Sequence, residues 1–235
     1  MIPALAQEAR AILVAEITDV TAAPKPYYDD GNGIVIYCGD CRDILPHLPK
    51  VDLIVTDPPY GISHPTDYKS RGRDALANCK DYPPVYGDDK PFDPAPWLEW
   101  PCILWGANYY ADRLPPSSDW VVWDKKRPAG IDQSEAELAW SNFIKGVRVH
   151  RQLWHGAMRA SNDVLCHPTQ KSVEVMLFCL QTRWTPPGTI LDPYLGSGTT
   201  LVAAKNLGRK AIGIEIEEKY CEIAVQRLSQ EVLAL

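Results

Sequence analysis

Asp57-Pro58-Pro59-Tyr60 sits directly after an apolar run, Val51-Asp52-Leu53-Ile54-Val55-Thr56, that reads as a β-strand. A strand ending this way presents one carboxylate, one proline-fixed carbonyl and one aromatic face at the carboxyl edge of a sheet. Proline fixes φ and carries no N–H, so the Asp57 and Pro58 oxygens face outward without a competing amide donor. Two acceptors and a ring are what is needed to hold a planar heterocycle by an exocyclic amino group and to stack on it. Asp and Pro are also ordinary turn residues. The tetrapeptide alone therefore leaves a strand-terminating turn open.

The second chemical element lies far downstream, in Thr189-Ile190-Leu191-Asp192-Pro193-Tyr194-Leu195-Gly196-Ser197-Gly198-Thr199-Thr200. A short apolar strand runs into a Gly-x-Gly turn, and Thr199 to Leu207 then reads as a helix. Glycines let a backbone approach a ligand closely, and the helix start beyond them favours negative charge. A further strand, Lys210 to Ile214, ends in Glu215, about 20 residues beyond the turn, where nucleotide-type α/β sites place the acid that grips a ribose diol. A phosphate-binding loop would need Lys after the second glycine, and this chain has Thr199. Framed by Asp192 and Glu215, the turn reads as a nucleoside-cofactor site.

With both elements in place, the chain resembles the amino-group DNA methyltransferases, which use S-adenosylmethionine to methylate the exocyclic nitrogen of adenine or cytosine. Asp57 to Tyr60 matches their catalytic motif, and Asp192 to Thr199 their cofactor loop. His167-Pro168-Thr169-Gln170-Lys171 looks like the segment that precedes that loop. Catalytic motif first and cofactor loop near the C-terminus is the order of the beta-type, circularly permuted group. The resemblance spans roughly residues 25 to 230. It implies a Rossmann-like α/β fold with a mostly parallel sheet and an antiparallel edge, with DNA as partner and a cytoplasmic location.

By the same resemblance, Asp57 and the Pro58 carbonyl accept from the target amino group, followed by Pro59 and the stacking Tyr60. Asp192 holds the methionine amino group, with Tyr194, Gly196, Ser197, Gly198 and Thr199 forming the close-approach loop. Glu215 takes the ribose hydroxyls, and Asp40, with Cys41 beside it, takes the adenine amino group; Asp40 also reads as a helix N-cap. Thr169, Gln170 and Lys171, at a helix start, contact the methionine carboxylate or its neighbours. Tyr194 stands where phenylalanine is more usual, and Ser172 where proline is. Asp at the head of the tetrapeptide favours adenine-N6 over cytosine-N4, where Ser is more frequent. RNA as substrate and a non-catalytic nucleic-acid-binding subunit are the other readings. The cytosine-C5 route needs a Pro-Cys nucleophile, and Pro101-Cys102 lies in an apolar strand without that family's following residues.

Composition agrees with one soluble α/β domain: 235 residues can bury a sizeable core. There is no run of roughly 18 apolar residues, so no membrane span is expected. Seven cysteines, an odd number, suggest reduced thiols. Cys38 and Cys41 lack a second pair at zinc spacing, and no metal is expected. The net charge of −6 argues mildly against a nucleic-acid partner. Its distribution softens this, because Ser141 to Asn162 holds no acid and contains Lys145, Arg148, Arg151 and Arg159, the candidate DNA contacts.

The elements that must position these groups follow from periodicity. Residues 1 to 24 read as an amphipathic helix and a proline-marked linker, which packs on the domain, mediates homodimerisation or is an added segment. Residues 25 to 235 form the catalytic domain. Strands are expected at Ile34 to Cys38, Leu53 to Thr56, Cys102 to Trp105, Trp120 to Trp123, Glu137 to Trp140 and Val147 to Trp154. Helices are expected at Gln170 to Thr182, Thr199 to Leu207 and Glu217 to Val232. Residues 61 to 96 have little periodicity and read as a lid or binding loop. A target-recognition region, between about residues 141 and 166, is minimal or absent. That compactness resembles the solitary methyltransferases of phages and prophages.

Overall fold

The computed structural model describes residues 24–67, 81–127, 134–155, 158–159 and 166–230. The expected N-terminal helix lies outside them. The strands are β1 (Tyr28–Asp29), β2 (Ile34–Cys38), β3 (Leu53–Thr56), β4 (Cys102–Trp105), β5 (Trp120–Asp124), β6 (Ala136–Ser141), β7 (Val147–Arg151), β8 (Trp154–His155), β9 (Met158–Arg159), β10 (Ile190–Asp192) and β11 (Ala211–Glu215). The α-helices are α1 (Cys41–Ile44), α2 (Val173–Leu180), α3 (Thr199–Asn206) and α4 (Glu218–Ser229).

One nine-stranded sheet runs in the order β1-β2-β11-β10-β3-β4-β6-β5-β7. From β2 to β4 every pairing is parallel. Strand β6 is antiparallel to both β4 and β5, and β7 returns parallel to β5. Strands β4, β5 and β7 therefore share one direction, and their carboxyl ends lie on the edge where Asp57 emerges. A short hairpin, β8–β9, stands apart from the sheet.

All residues of β3 and β4 are buried, as expected for strands covered on both faces. Successive side chains point to opposite faces. Leu53, Val55, Ile103 and Trp105 enter the core shared with Val175 and Met176 of α2 and Leu201 of α3. Ile54, Cys102 and Leu104 enter the other core, with Trp97 and Tyr110. Thr56 is fully buried at the end of β3, and its hydroxyl donates to Asp192 Oδ1 at 2.6 Å, tying β3 to β10.

Three expected elements are shorter than the sequence suggests, the last helix running Glu218–Ser229. The strand from Val147 stops at Arg151, because its partner β5 ends at Asp124 and Lys126 turns away with φ +48°. The helix expected from Gln170 starts at Val173, where the Ser172 hydroxyl caps it by accepting from Glu174 N at 3.1 Å. Between Gly61 and Pro94 the described residues form neither helix nor strand, in line with the expected loop. No helix among the described residues is long and apolar enough to cross a membrane.

Candidate active site

A cavity of about 1400 Å³ runs along the carboxyl edge of the sheet, from Asp57 and Tyr60 at one end to Glu215 and Tyr220 at the other. At its first end the chain packs charge into a small space. Asp57 Oδ2 lies 2.5 Å from Lys171 Nζ, and Asp57 Oδ1 accepts from the Tyr60 hydroxyl. Lys171 also donates to that hydroxyl at 3.0 Å and pairs with Glu137 Oε2 at 3.0 Å. Glu137 Oε1 pairs in turn with Lys125. Both lysine side chains are under a tenth exposed.

These groups set one another's protonation. Burial pushes the Asp57 carboxyl upward, and Lys171 opposes it. Burial would raise Glu137 as well, but Lys171 and Lys125 outweigh it and hold Glu137 at about 2. Burial would lower Lys171, but the carboxylates of Asp57 and Glu137 prevail and keep it charged above its ordinary value. Lys125 is lowered by burial, against the pull of Glu137.

The tetrapeptide is fixed from behind by a residue of the loop. Asp88 is 5% exposed, and its Oδ1 accepts from the amides of Tyr60 (2.9 Å), Gly61 (2.8 Å) and Ile62 (3.3 Å). Its Oδ2 accepts from His64 N at 2.6 Å. The Tyr60 ring stacks on Tyr109, with centroids 5.1 Å apart. Gly106 makes room for that ring: at φ +71°, a Cβ would lie 1.9 Å from Tyr60 Cε1.

At the other end, Glu215 stands at the tip of β11, and its register partner Cys38 leads to Asp40. Glu215 accepts from Gly196 N at 2.8 Å and Glu217 N at 2.9 Å, and burial raises its pKa. Asp40 caps α1 through Arg42 N at 2.9 Å and holds the Arg42 guanidinium, so the N-cap reading is realised. Cys41, Thr169, Gln170, Tyr194 and Gly196 line the cavity with them. So does Ile216, 36% exposed, which offers an apolar wall. Adjacent carboxylates with such a wall fit the hydroxyls and ring of a nucleoside cofactor.

Several expected cofactor residues do not reach the cavity. Ser197, Gly198 and Thr199 are buried behind the loop, where Arg227 Nη1 donates to the Ser197 carbonyl (2.7 Å) and to Thr199 Oγ1 (3.0 Å). The missing Cβ of Gly198 serves helix packing, since it would lie 2.7 Å from Ala224 Cβ of α4. Asp192 is 3% exposed and bound to Thr56 and to Tyr194 N; burial raises it to about 6. Lys171, expected at the cofactor's methionine end, does line the cavity, where it pairs with Asp57 and Glu137. His167 places its ring edge on Tyr220 at 4.4 Å, and burial lowers it to about 4.

The candidate DNA contacts divide by edge. Arg148 stacks on Trp184 at 4.3 Å, beyond the C-terminal end of α2 and so at the edge opposite Asp57. Lys145 lies beside it and supplies the carbonyl to which Arg148 donates. Arg151 is exposed at the carboxyl end of β7, 3.4 Å from Asp124. Arg159 belongs to β9, and its side chain is outside the described residues. Sequence reasoning missed Glu137, Lys125 and Asp88. A lone acid inside the otherwise apolar strand Ala136–Ser141 was the available signal for Glu137.

Residues 117–226 match the family model described as DNA methylase, of the N6/N4 class. The chain is 27% identical over 266 positions to Type II methyltransferase M.ScaI of Streptomyces caespitosus, covering 91% of this chain and 87% of that one. It is 26% identical over 251 positions to Type II methyltransferase M2.DpnII of Streptococcus pneumoniae, covering 88% and 93%. The solved M1.HpyAVI–SAM complex superposes with a TM-score of 0.52 at 27% identity, covering 83% of this chain and 100% of that one. PvuII DNA methyltransferase, cytosine-N4-specific, superposes at 0.59 with 14% identity over 91% and 92%, a likeness of fold. These comparisons bear out the resemblance to amino-group DNA methyltransferases and the circularly ordered α/β fold.

Proposed function

We propose that this chain, which carries a DNA methylase domain of the amino-group class, methylates the N6 amino group of adenine in DNA. The observation that carries the reading is a half-buried Asp57, paired with the buried Lys171 beside an aromatic ring and opening into a cavity whose far end holds Glu215 and Asp40. S-adenosylmethionine supplies the methyl group as a sulfonium. Glu215, Asp40 and the Tyr194–Gly196 loop would hold it, with Thr169 and Gln170 closing the wall.

A base inside a duplex cannot reach this edge, so the target enters flipped out or single-stranded. Its exocyclic nitrogen is a poor nucleophile, because the lone pair is delocalised into the ring. Hydrogen bonds from that amino group to Asp57 and to the Pro58 carbonyl favour a pyramidal nitrogen as positive charge develops, which stabilises the transition state selectively. Tyr60 stacks on the base, and Pro59 stiffens the segment between them. The raised Asp57 carboxyl is well suited to take up the proton that the methylated nitrogen releases. Arg151 is the candidate nearest the reacting edge for contact with DNA phosphate. A cytoplasmic location and a homodimer belong to the same proposal, and sedimentation of the purified chain tests the dimer.

Incubating unmethylated plasmid with the chain and S-adenosylmethionine, then digesting to nucleosides, should yield N6-methyladenine. N4-methylcytosine alone would refute the adenine reading and leave the class standing. Neither product would refute the class.

A further inference from the structure

The Tyr60 hydroxyl donates to Asp57 Oδ1 and accepts from Lys171 Nζ at 3.0 Å. A donor and an acceptor side by side are also what the edge of an aminated heterocycle offers, as an amino N–H next to a ring nitrogen. The protein answers that pattern with an acceptor and a donor fixed together, Asp57 Oδ2 lying 2.5 Å from Lys171 Nζ. We propose that Asp57 and Lys171 jointly read the target base, Asp57 accepting from the amino group and Lys171 donating to the adjacent ring nitrogen, and that the Tyr60 hydroxyl keeps their place until the base enters.

The inference rests on the proposed function and deepens it, because it adds a specificity-determining residue to the same site. Lys171 donates to Asp57 and to the Tyr60 hydroxyl, and forms an ion pair with Glu137 at 3.0 Å. The Tyr60 hydroxyl is the one partner whose removal frees both an acceptor position on Asp57 and a donor on Lys171. Movement of Tyr60 to stack on a base does both at once. The other two partners stay: Glu137 is itself held by Lys125, so Lys171 keeps its aim when the hydroxyl leaves. Donation to the ring nitrogen draws electrons from the base, and the Asp57 carboxylate on the neighbouring amino group offsets this. Guanine entering by its O6–N1 edge, the orientation in which adenine and cytosine present theirs, shows the reverse order, an acceptor toward Asp57 and a donor toward Lys171, and is refused on both counts. Adenine and cytosine share the accepted pattern in that orientation, so the pair accepts either of the two.

The test uses synthetic duplexes in which the methylated base, once identified by nucleoside digestion, is replaced by the analogue lacking the ring nitrogen: 1-deazaadenine for adenine, 3-deazacytosine for cytosine. The wild-type chain should lose about 30-fold or more in kcat/KM on the analogue, since a buried donor is then left facing C–H. Lys171→Met should lower the natural base to the analogue's level and discriminate less than about threefold between them. Lys171→Gln keeps an N–H donor without the charge and should retain part of the discrimination. Wild-type protein that methylates both bases equally well would overturn the inference, and that comparison needs no variant to fold. Equal discrimination by Lys171→Met, shown by calorimetry still to bind S-adenosylmethionine, would overturn it too. Wild-type protein that methylates no DNA would instead overturn the proposed function beneath it.

Discussion

Asp88 makes a strong prediction, because it touches neither base nor cofactor in the proposed reaction and yet fixes the backbone that does. Its carboxylate holds the amides of Tyr60, Gly61, Ile62 and His64, at 2.6 to 3.3 Å. A hydrogen bond to a charged group contributes roughly 1.5–3 kcal/mol. If the loop amides rehydrate and only the two shortest bonds count in full, Asp88→Ala releases the segment by about 3 kcal/mol. At about 1.4 kcal/mol per factor of ten, the arrangement that presents Tyr60 then becomes about 100-fold rarer. Single-turnover methyl transfer should slow by that factor, while calorimetric affinity for S-adenosylmethionine changes less than about threefold, because Glu215 and Asp40 lie at the other end. Asp88→Asn should lose only about tenfold, since an amide oxygen in the Oδ1 position keeps three of the four bonds. Hydrogen exchange offers a readout independent of activity: the amides of Gly61 and His64 should lose protection by a similar factor. Wild-type protection at those amides in Asp88→Ala, or a rate within threefold of wild type, would refute the reasoning.

Asp57→Ala should slow transfer by at least about 100-fold and leave cofactor binding nearly intact; an active Asp57→Ala protein would sink the catalytic assignment. Arg151→Ala should weaken DNA binding across sequences and lower the salt slope by about one unit. Arg148→Ala should leave the slope unchanged and cost about 1 kcal/mol of stability through its lost stacking on Trp184; the opposite pattern would move the DNA surface to the other edge. His167 is neutral in the fold, held at about 4 against an ordinary 6.5, so the unfolded chain binds the extra proton between those values. Its contribution is complete above about pH 6.5 and lost as pH falls toward 4, worth roughly 3 kcal/mol. His167→Gln should flatten that part of the stability–pH curve in urea titrations, and parallel curves would count against it.

What could be read from the chain divides along physical lines. The strand carrying Asp57 was legible because a short apolar run ending in two prolines permits few other structures, and β3 begins and ends as expected. Glu215 was legible because one strand–helix–strand unit fixes its distance from the turn. The packing role of Gly198 was not legible, because a Gly-x-Gly pattern does not say what the absent Cβ makes room for. Here it is Ala224 of a helix. The pairing of Lys171 with Asp57 was not legible, because the two lie 114 positions apart and local spacing carries no information on such pairs. Arg148 and Arg151 sit in one basic stretch of sequence, but strand direction carries them toward opposite edges.

The buried charges around Asp57 are best understood by asking what they do not do. A buried ion pair seldom stabilises a fold more than apolar residues of the same volume would, because desolvation cancels much of the attraction. Two lysines and two carboxylates meeting at the end of an otherwise apolar sheet are therefore a poor device for stability. In the proposed reaction, where a neutral nitrogen becomes cationic, they would serve better: Asp57 would meet that change with its negative charge, and the pairing of Lys171, Glu137 and Lys125 around it would keep the cluster neutral before it begins. Charges already in place need no reorganisation when the nitrogen develops its own. The anchors lie on separate segments, β3, β6, the turn after β5 and the cap of α2. Only the folded sheet edge brings them together, which couples the chemistry to the fold without asking the chemistry to hold the fold up.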